Sequence, residues 1–188
     1  RTELADGATM MRRQVGESTV MQRLREDILD IGQADGHVLI DGETGTGKTL
    51  VAHALHAVSS RSGHKLVSIN CAGLEESTLI ARLFGPDPVE DVEALTEAAQ
   101  ARLLGFISAQ GTPPQTRIIA VCNAHTQDQT LEDALRPDLF FRLGAHQIVL
   151  PPLRAREDDI LALFNAYLGQ FAEDYGCPMP EVSMPEAA

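Results

Sequence analysis

Two periods of apolar residues alternate along this chain. Residues 18–31 carry Val20, Met21, Leu24, Ile28, Leu29 and Ile31 near helical spacing, which predicts an amphipathic helix. The run His37-Val38-Leu39-Ile40-Asp41 is apolar through its centre and too short for a helix, so it predicts a buried strand. Leu50 to Leu55 returns to a helical pattern, and Leu66-Val67-Ser68-Ile69-Asn70 predicts a second strand. A helix over about 94–109 follows, with Leu95, Ala98, Ala99, Leu103, Leu104 and Ile107 as its stripe. Gly111-Thr-Pro-Pro breaks that pattern before Arg117–Cys122, another buried strand. Gln147–Leu150 is the last expected strand, closed by Pro151-Pro152, and Asp158–Phe171 reads as a helix through Ile160, Leu161, Leu163, Phe164, Leu168 and Phe171. Strands alternating with helices predict an α/β fold with a mostly parallel sheet covered on both faces.

The loop between the first strand and its helix carries the strongest chemistry. Residues 42–49 read Gly42, Glu43, Thr44, Gly45, Thr46, Gly47, Lys48, Thr49, which fits G-x-x-x-x-G-K-[ST]. Glycines let successive N–H groups point into one concavity, and the helix N-terminus adds partial positive charge. Lys48 is expected to reach the β- and γ-phosphates of a nucleoside triphosphate, and the Thr49 hydroxyl to help hold Mg²⁺.

Composition narrows the surroundings of that loop. The 188 residues allow one domain or slightly more, and 44 % apolar content suffices for a core. With 4 % aromatic residues and no Trp, packing is expected to be aliphatic. No apolar run approaches the ~18 residues of a membrane span, and the Arg-containing start lacks a signal-peptide core. Cys71, Cys122 and Cys177 have no metal-ligand spacing, which fits reduced thiols and a cytoplasmic location. The net charge of −12, with only two Lys, makes the chain a poor stand-alone DNA binder. Residues 1–15 read as a linker, and 176–188 are rich in Pro and acidic residues.

Several strings occur in an order that resembles a known family. They are Gly16-Glu-Ser18, Val38-Leu39-Ile40, Gly42 to Lys48, Asn70-Cys-Ala72, Leu83-Phe-Gly85, Arg136-Pro-Asp-Leu-Phe-Phe-Arg142-Leu143 and Leu150-Pro-Pro-Leu-Arg154. Together they resemble the central AAA+ ATPase domain of bacterial sigma-54-dependent transcriptional activators, over roughly residues 16–175. The resemblance implies a P-loop AAA+ three-layer α/β/α core over 16–150 and the start of a C-terminal helical lid over 151–188. It implies ATP and Mg²⁺, and a homo-oligomeric ring (hexamer or heptamer) when active, with a dimer when inactive. The implied partners are RNA polymerase carrying sigma-54, and DNA through a domain outside this sequence. A receiver or other sensory domain would precede residue 1.

Site roles follow from the same resemblance. The family usually has Glu after the loop Lys, so Thr49 departs toward the general P-loop pattern. Asn123 matches the sensor residue at a strand end; capping that strand is its other reading. Arg136 and Arg142 match arginine fingers that reach a neighbouring subunit's ATP; solvated or ion-paired arginines are the alternative. Asp138 between them is expected to organise the segment. Counting back from Gln100, which aligns with a helix Gln of the family, puts Glu90-Asp91 on the Asp-Glu pair that supports Mg²⁺ and polarises water. The order is reversed, and exchanging the lengths shifts each carboxylate by about 1 Å, which can cost on the order of 10²-fold in rate. A solvated acidic turn over 87–93 is the alternative reading of that pair.

One stretch departs further. The family has a long segment between Leu83-Phe-Gly85 and the acidic pair, including the GAFTGA loop that touches sigma-54, whereas here only Pro86-Asp-Pro-Val89 intervenes. The strand before the pair is expected inside the sheet, between the phosphate-loop strand and the sensor strand. Prolines lack the ladder N–H and cannot supply such a strand. A segment missing from the sequence is therefore expected. A true deletion is the other reading, giving a nucleotide-binding regulator that does not hydrolyse ATP or engage sigma-54.

Overall fold

The computed structural model describes residues 16, 18–64, 66, 69–70, 89–90, 95–111, 114, 116–122 and 135–178. Helix α1 spans Thr19–Gln33 and buries Met21, Leu24, Ile28 and Gly32, which recur at helical spacing. Ser18 caps it, its side-chain oxygen accepting the Met21 N–H at 3.4 Å. At the other end the Arg117 guanidinium donates to the carbonyls of Ile31, Gly32 and Gly36 at 2.6, 2.7 and 3.0 Å. A cation there satisfies the last helical carbonyls and complements the helix dipole.

Strand β1 (Val38–Gly42) is buried throughout and leads through the glycine loop into α2 (Lys48–Ala57). Two short strands follow, β2 (Ile69–Asn70) and β3 (Val89–Glu90). Helix α3 (Glu97–Ser108) is capped by Thr96, whose hydroxyl accepts the Ala99 N–H at 3.3 Å. Then come β4 (Ile119–Cys122), α4 (Pro137–Leu143) and β5 (His146–Leu150). Two 3-10 turns, Leu153–Ala155 and Glu157–Asp159, enter α5 (Ile160–Tyr175). Among the described residues, no helix is long and apolar enough to cross a membrane.

All strand pairs are parallel, in the order β2-β3-β4-β1-β5. Alternation along the strands divides the core in two. Val38, Ile40, Ile119, Val121, Ile148 and Leu150 face α1 and α2. Leu39, Ile118, Ala120 and Cys122 face α3 and α4, where Leu103, Leu139 and Leu143 are wholly buried. Each such Leu contributes roughly 1.5–3 kcal/mol through burial, so Leu139 and Leu143 are the main apolar anchors of the short α4. The result is the expected three-layer α/β/α arrangement.

Two expectations need correction. A strand that ends in the first residue of the acidic pair exists: Val89–Glu90 pairs with β2 on one side and β4 on the other. It also does not lie between the phosphate-loop strand and the sensor strand, because β4 pairs directly with β1. Two residues suffice as a strand here because neighbours on both sides supply the ladder. Residues 86–88 lie outside the described residues. Helix α4 has no counterpart among the periodic segments read from the sequence. Its signals are Pro137 at the first helical position, which is pre-organised for a helix start, and Leu139 and Leu143 one turn apart.

Candidate functional site

Strand register assembles the C-terminal ends of the sheet. Asn70, Glu90, Val121, Ile40 and Ile148 lie at one level across the five strands. One residue further, Asp41 pairs with Cys122 on one side and Val149 on the other, and Gly42 pairs with Leu150. Ligands of open parallel sheets bind in the crevice outside these ends. Glu90 is the last residue of β3, at the carboxyl edge of the sheet. Asp91 and Asn123, the residues that follow β3 and β4, lie outside the described residues.

The glycine loop rises from this edge. Gly42, Gly45 and Gly47 have φ of 153°, 84° and 97°, a region side chains rarely adopt. A Cβ on Gly42 would also come within 3.0 Å of the Leu150 carbonyl oxygen and 3.1 Å of Thr46 Oγ1. The loop is braced internally: Thr46 donates to the Glu43 carbonyl through N–H at 3.3 Å and through Oγ1 at 2.8 Å. The Gly42 N–H donates to the Asp41 carboxylate at 2.7 Å. Lys48 is buried at 6 % exposure, and its Nζ donates to the Gly42 and Glu43 carbonyls, both at 2.8 Å. An anion in the loop competes with those carbonyls for the same ammonium. Gly47 caps α2, and Thr49 is exposed on its first turn.

A cavity of ≈ 550 Å³ opens from the loop. Its polar end is Glu43 to Gly47; its apolar end is formed by Met21, Leu24, Val51, Leu150, Ile160 and Leu163, from α1, α2, β5 and α5. That volume is within the ~300–1,000 Å³ of small-ligand sites. A ligand with an anionic end and a flat apolar end fits this polarity, as a nucleotide does. Two arginines missed by the sequence reading also line the cavity. Arg154 Nη1 donates to the Glu43 carboxylate at 2.8 Å and Nη2 to its other oxygen, tying the loop to the segment before α5. Glu43 raises the Arg154 guanidinium above its ordinary range. Arg156 Nη1 approaches Met21 Sδ at 3.1 Å, while its buried Nε has no hydrogen-bond partner among the described residues. The Leu150-Pro-Pro-Leu-Arg154 string was the available signal, although only folding brings it to the loop.

The proposed arginine fingers sit elsewhere. Arg136 and Arg142 lie at the two ends of α4, and neither lines the cavity of its own chain. Arg136 forks the Asp138 carboxylate, Nε to Oδ1 at 3.1 Å and Nη2 to Oδ2 at 3.0 Å, with Glu97 3.6 Å from Nη1. Asp138 raises the Arg136 guanidinium, and Arg136 in turn holds the Asp138 carboxyl below its usual range. Within one chain Arg136 is thus ion-paired, as the alternative reading of that arginine had it. Arg142 is exposed in the last turn. Among the described residues no group of three His, Cys, Asp or Glu side chains is gathered for a metal. A P-loop Mg²⁺ needs no such group, since it keeps waters and phosphate oxygens as ligands.

Comparisons with known proteins agree with this geometry. The C4-dicarboxylate transport transcriptional regulatory protein DctD of Rhizobium meliloti is 31 % identical over 201 residues, covering 90 % of this chain and 44 % of that protein. The transcriptional regulatory protein ZraR of Salmonella typhimurium is 34 % identical over 191 residues, covering 85 % of this chain and 43 % of that one. This chain therefore spans less than half the length of these relatives. An alignment of 201 residues also exceeds the 188 of the chain, so part of DctD has no counterpart here. The structure of NtrX from Brucella abortus in complex with ATP matches with a TM-score of 0.78 at 26 % identity, over 90 % of this chain and 43 % of that one. The fold is that of P-loop AAA+ NTPases. Residues 14–112, more than half of the chain, match the sigma-54 interaction domain. This chain belongs to the sigma-54 interaction domain family.

Proposed function

We propose that this chain is the ATP-hydrolysing motor of a sigma-54-type transcriptional regulator, with each ATP held at a subunit interface. The observation that carries the reading is the glycine loop with buried Lys48, opening into a cavity whose far end is apolar. Relatives support it: NtrX is described in complex with ATP, and DctD and ZraR are transcriptional regulators. In this reading the loop N–H groups and Lys48 hold the phosphates, while the apolar end takes the base. Thr49 and Glu90 would hold Mg²⁺, which supplies charge neutralisation across the β- and γ-phosphates. Asp91 orients the attacking water, and Asn123 senses the γ-phosphate. Arg136 and Arg142 complete the site from the neighbouring subunit, Arg136 exchanging its carboxylate partners Asp138 and Glu97 for phosphate oxygens. An arginine of this kind can be worth about 10³–10⁵ in rate.

Residues 151–188 begin the lid that closes on the nucleotide, and hydrolysis in a ring drives remodelling of RNA polymerase carrying sigma-54. The 188-residue sequence contains no GAFTGA string. The test is ATP binding and turnover in wild type and Arg136→Ala. Unchanged binding with turnover lost in the variant supports the motor. Binding without turnover by wild type, under every assembly condition, overturns it in favour of a module in which nucleotide only sets oligomeric state.

A further inference from the structure

Gln100 is the buried polar side chain among the described residues of α3, at 5 % exposure. Its Nε2 donates to the Leu95 carbonyl at 3.2 Å, and its Oε1 accepts the Arg136 backbone N–H at 2.8 Å. The first bond fixes the orientation of the amide, so that the second presents an acceptor rather than a donor to α4. Arg136 is the N-cap of α4, and its own side chain makes no capping bond to the helix. Leu135 is buried in the core beside it, and Pro137 follows with its locked φ. Gln100 thus pins the point where the chain enters α4, the point from which the Arg136 guanidinium extends toward Asp138 and Glu97. The helix carrying Gln100 follows β3, whose end bears Glu90.

We infer that Gln100 is a positioning residue for Arg136: it fixes where the guanidinium leaves one subunit, and so whether it meets ATP held by the next. This rests on the inter-subunit reading of Arg136 given above. Displacement of a reacting group by about 1 Å can cost on the order of 10²-fold. Leucine at this position preserves volume yet removes both hydrogen bonds.

Subunit mixing separates this role from a merely structural one. Lys48→Ala subunits keep Arg136 but lose the phosphate grip, and Arg136→Ala subunits do the reverse. In a head-to-tail ring mixed in equal amounts, about one interface in four pairs an intact loop with an intact Arg136, so turnover returns to roughly a quarter of wild type. Gln100→Leu added to the Lys48→Ala subunit is expected to lower that restored turnover about 10–100-fold. Added to the Arg136→Ala subunit, it should change turnover less than about 2-fold, because that subunit supplies no finger. Gln100→Asn, one carbon shorter, should show the same donor-subunit dependence if Gln100→Leu folds poorly. A loss that follows the ATP-holding subunit, or falls equally on both, overturns the inference. If wild type turns over but the unsubstituted mixture does not, the inter-subunit reading of Arg136 itself fails, and the inference with it.

Discussion

Replacing Lys48 by Ala tests the phosphate grip at its strongest point. The Nζ makes two bonds to loop carbonyls at 2.8 Å and is nearly sealed from solvent. Charge-assisted bonds from an ammonium to phosphate contribute about 1.5–3 kcal/mol each. Binding exchanges neutral acceptors for anionic ones, so the net gain is smaller than the sum of new bonds. The loop N–H groups and the α2 N-terminus remain in the variant. A loss of about 2–4 kcal/mol follows, or roughly 30–1,000-fold in Kd. Calorimetric titration with Mg²⁺-ATP measures it directly. Thermal unfolding gives a second readout: ATP at 100 times the wild-type Kd stabilises wild type by about 2.7 kcal/mol, and the variant by about 0.9 kcal/mol or less. Lys48→Ala protein that is folded and binds ATP within about 3-fold of wild type would refute the assignment.

Three further expectations concern packing, pH and the reversed acidic pair. A Cβ on Gly32 would lie 2.3 Å from Val58 Cγ2, so Gly32→Ala should destabilise by about 1–3 kcal/mol. By contrast, Gly105→Ala, exposed inside α3 with nothing near its missing Cβ, should stabilise by about 0.5–1 kcal/mol; melting temperatures of the two variants decide both. His37 is held down to about 4, chiefly by burial and then by Arg117, and its Nδ1 accepts the Ile118 N–H at 3.1 Å. The unfolded imidazole takes up a proton as pH falls below 6.5 while the folded one resists until about 4, so stability rises with pH across that window and is lost as pH falls through it. The effect is up to ~3 kcal/mol, and urea unfolding of His37→Asn should show a flatter dependence between those pH values. Exchanging the pair, Glu90→Asp with Asp91→Glu, should raise kcat by up to about 10²-fold if the reversal misplaces both carboxylates; an unchanged or lower kcat contradicts that reading.

Local period made much of the fold legible. Met21, Leu24 and Ile28 on α1, and the continuous apolar runs of β1 and β4, follow directly from what one buried face or two buried faces require. The phosphate loop was legible because its glycines are demanded by backbone geometry rather than by distant neighbours. The strand order was not, since β4 pairs with β1 across a long sequence separation. Nor was β3, whose two residues carry no periodicity and depend on β2 and β4 for their ladder. Helix α4 is too short to display a stripe. The apolar end of the cavity joins Met21 on α1 to Ile160 and Leu163 on α5, residues more than a hundred positions apart. The bond from the Arg136 N–H to Gln100 links residues 36 positions apart and leaves no local trace.

The central claim is an ATPase whose site is finished by a second subunit. Steady-state ATP turnover per subunit, measured across a wide range of protein concentration, tests it most directly. The account predicts negligible turnover at low concentration and a steep rise as subunits assemble, abolished throughout by Arg136→Ala. Turnover per subunit that is independent of concentration and unaffected by Arg136→Ala would mean the site is complete within one chain, and would contradict the account.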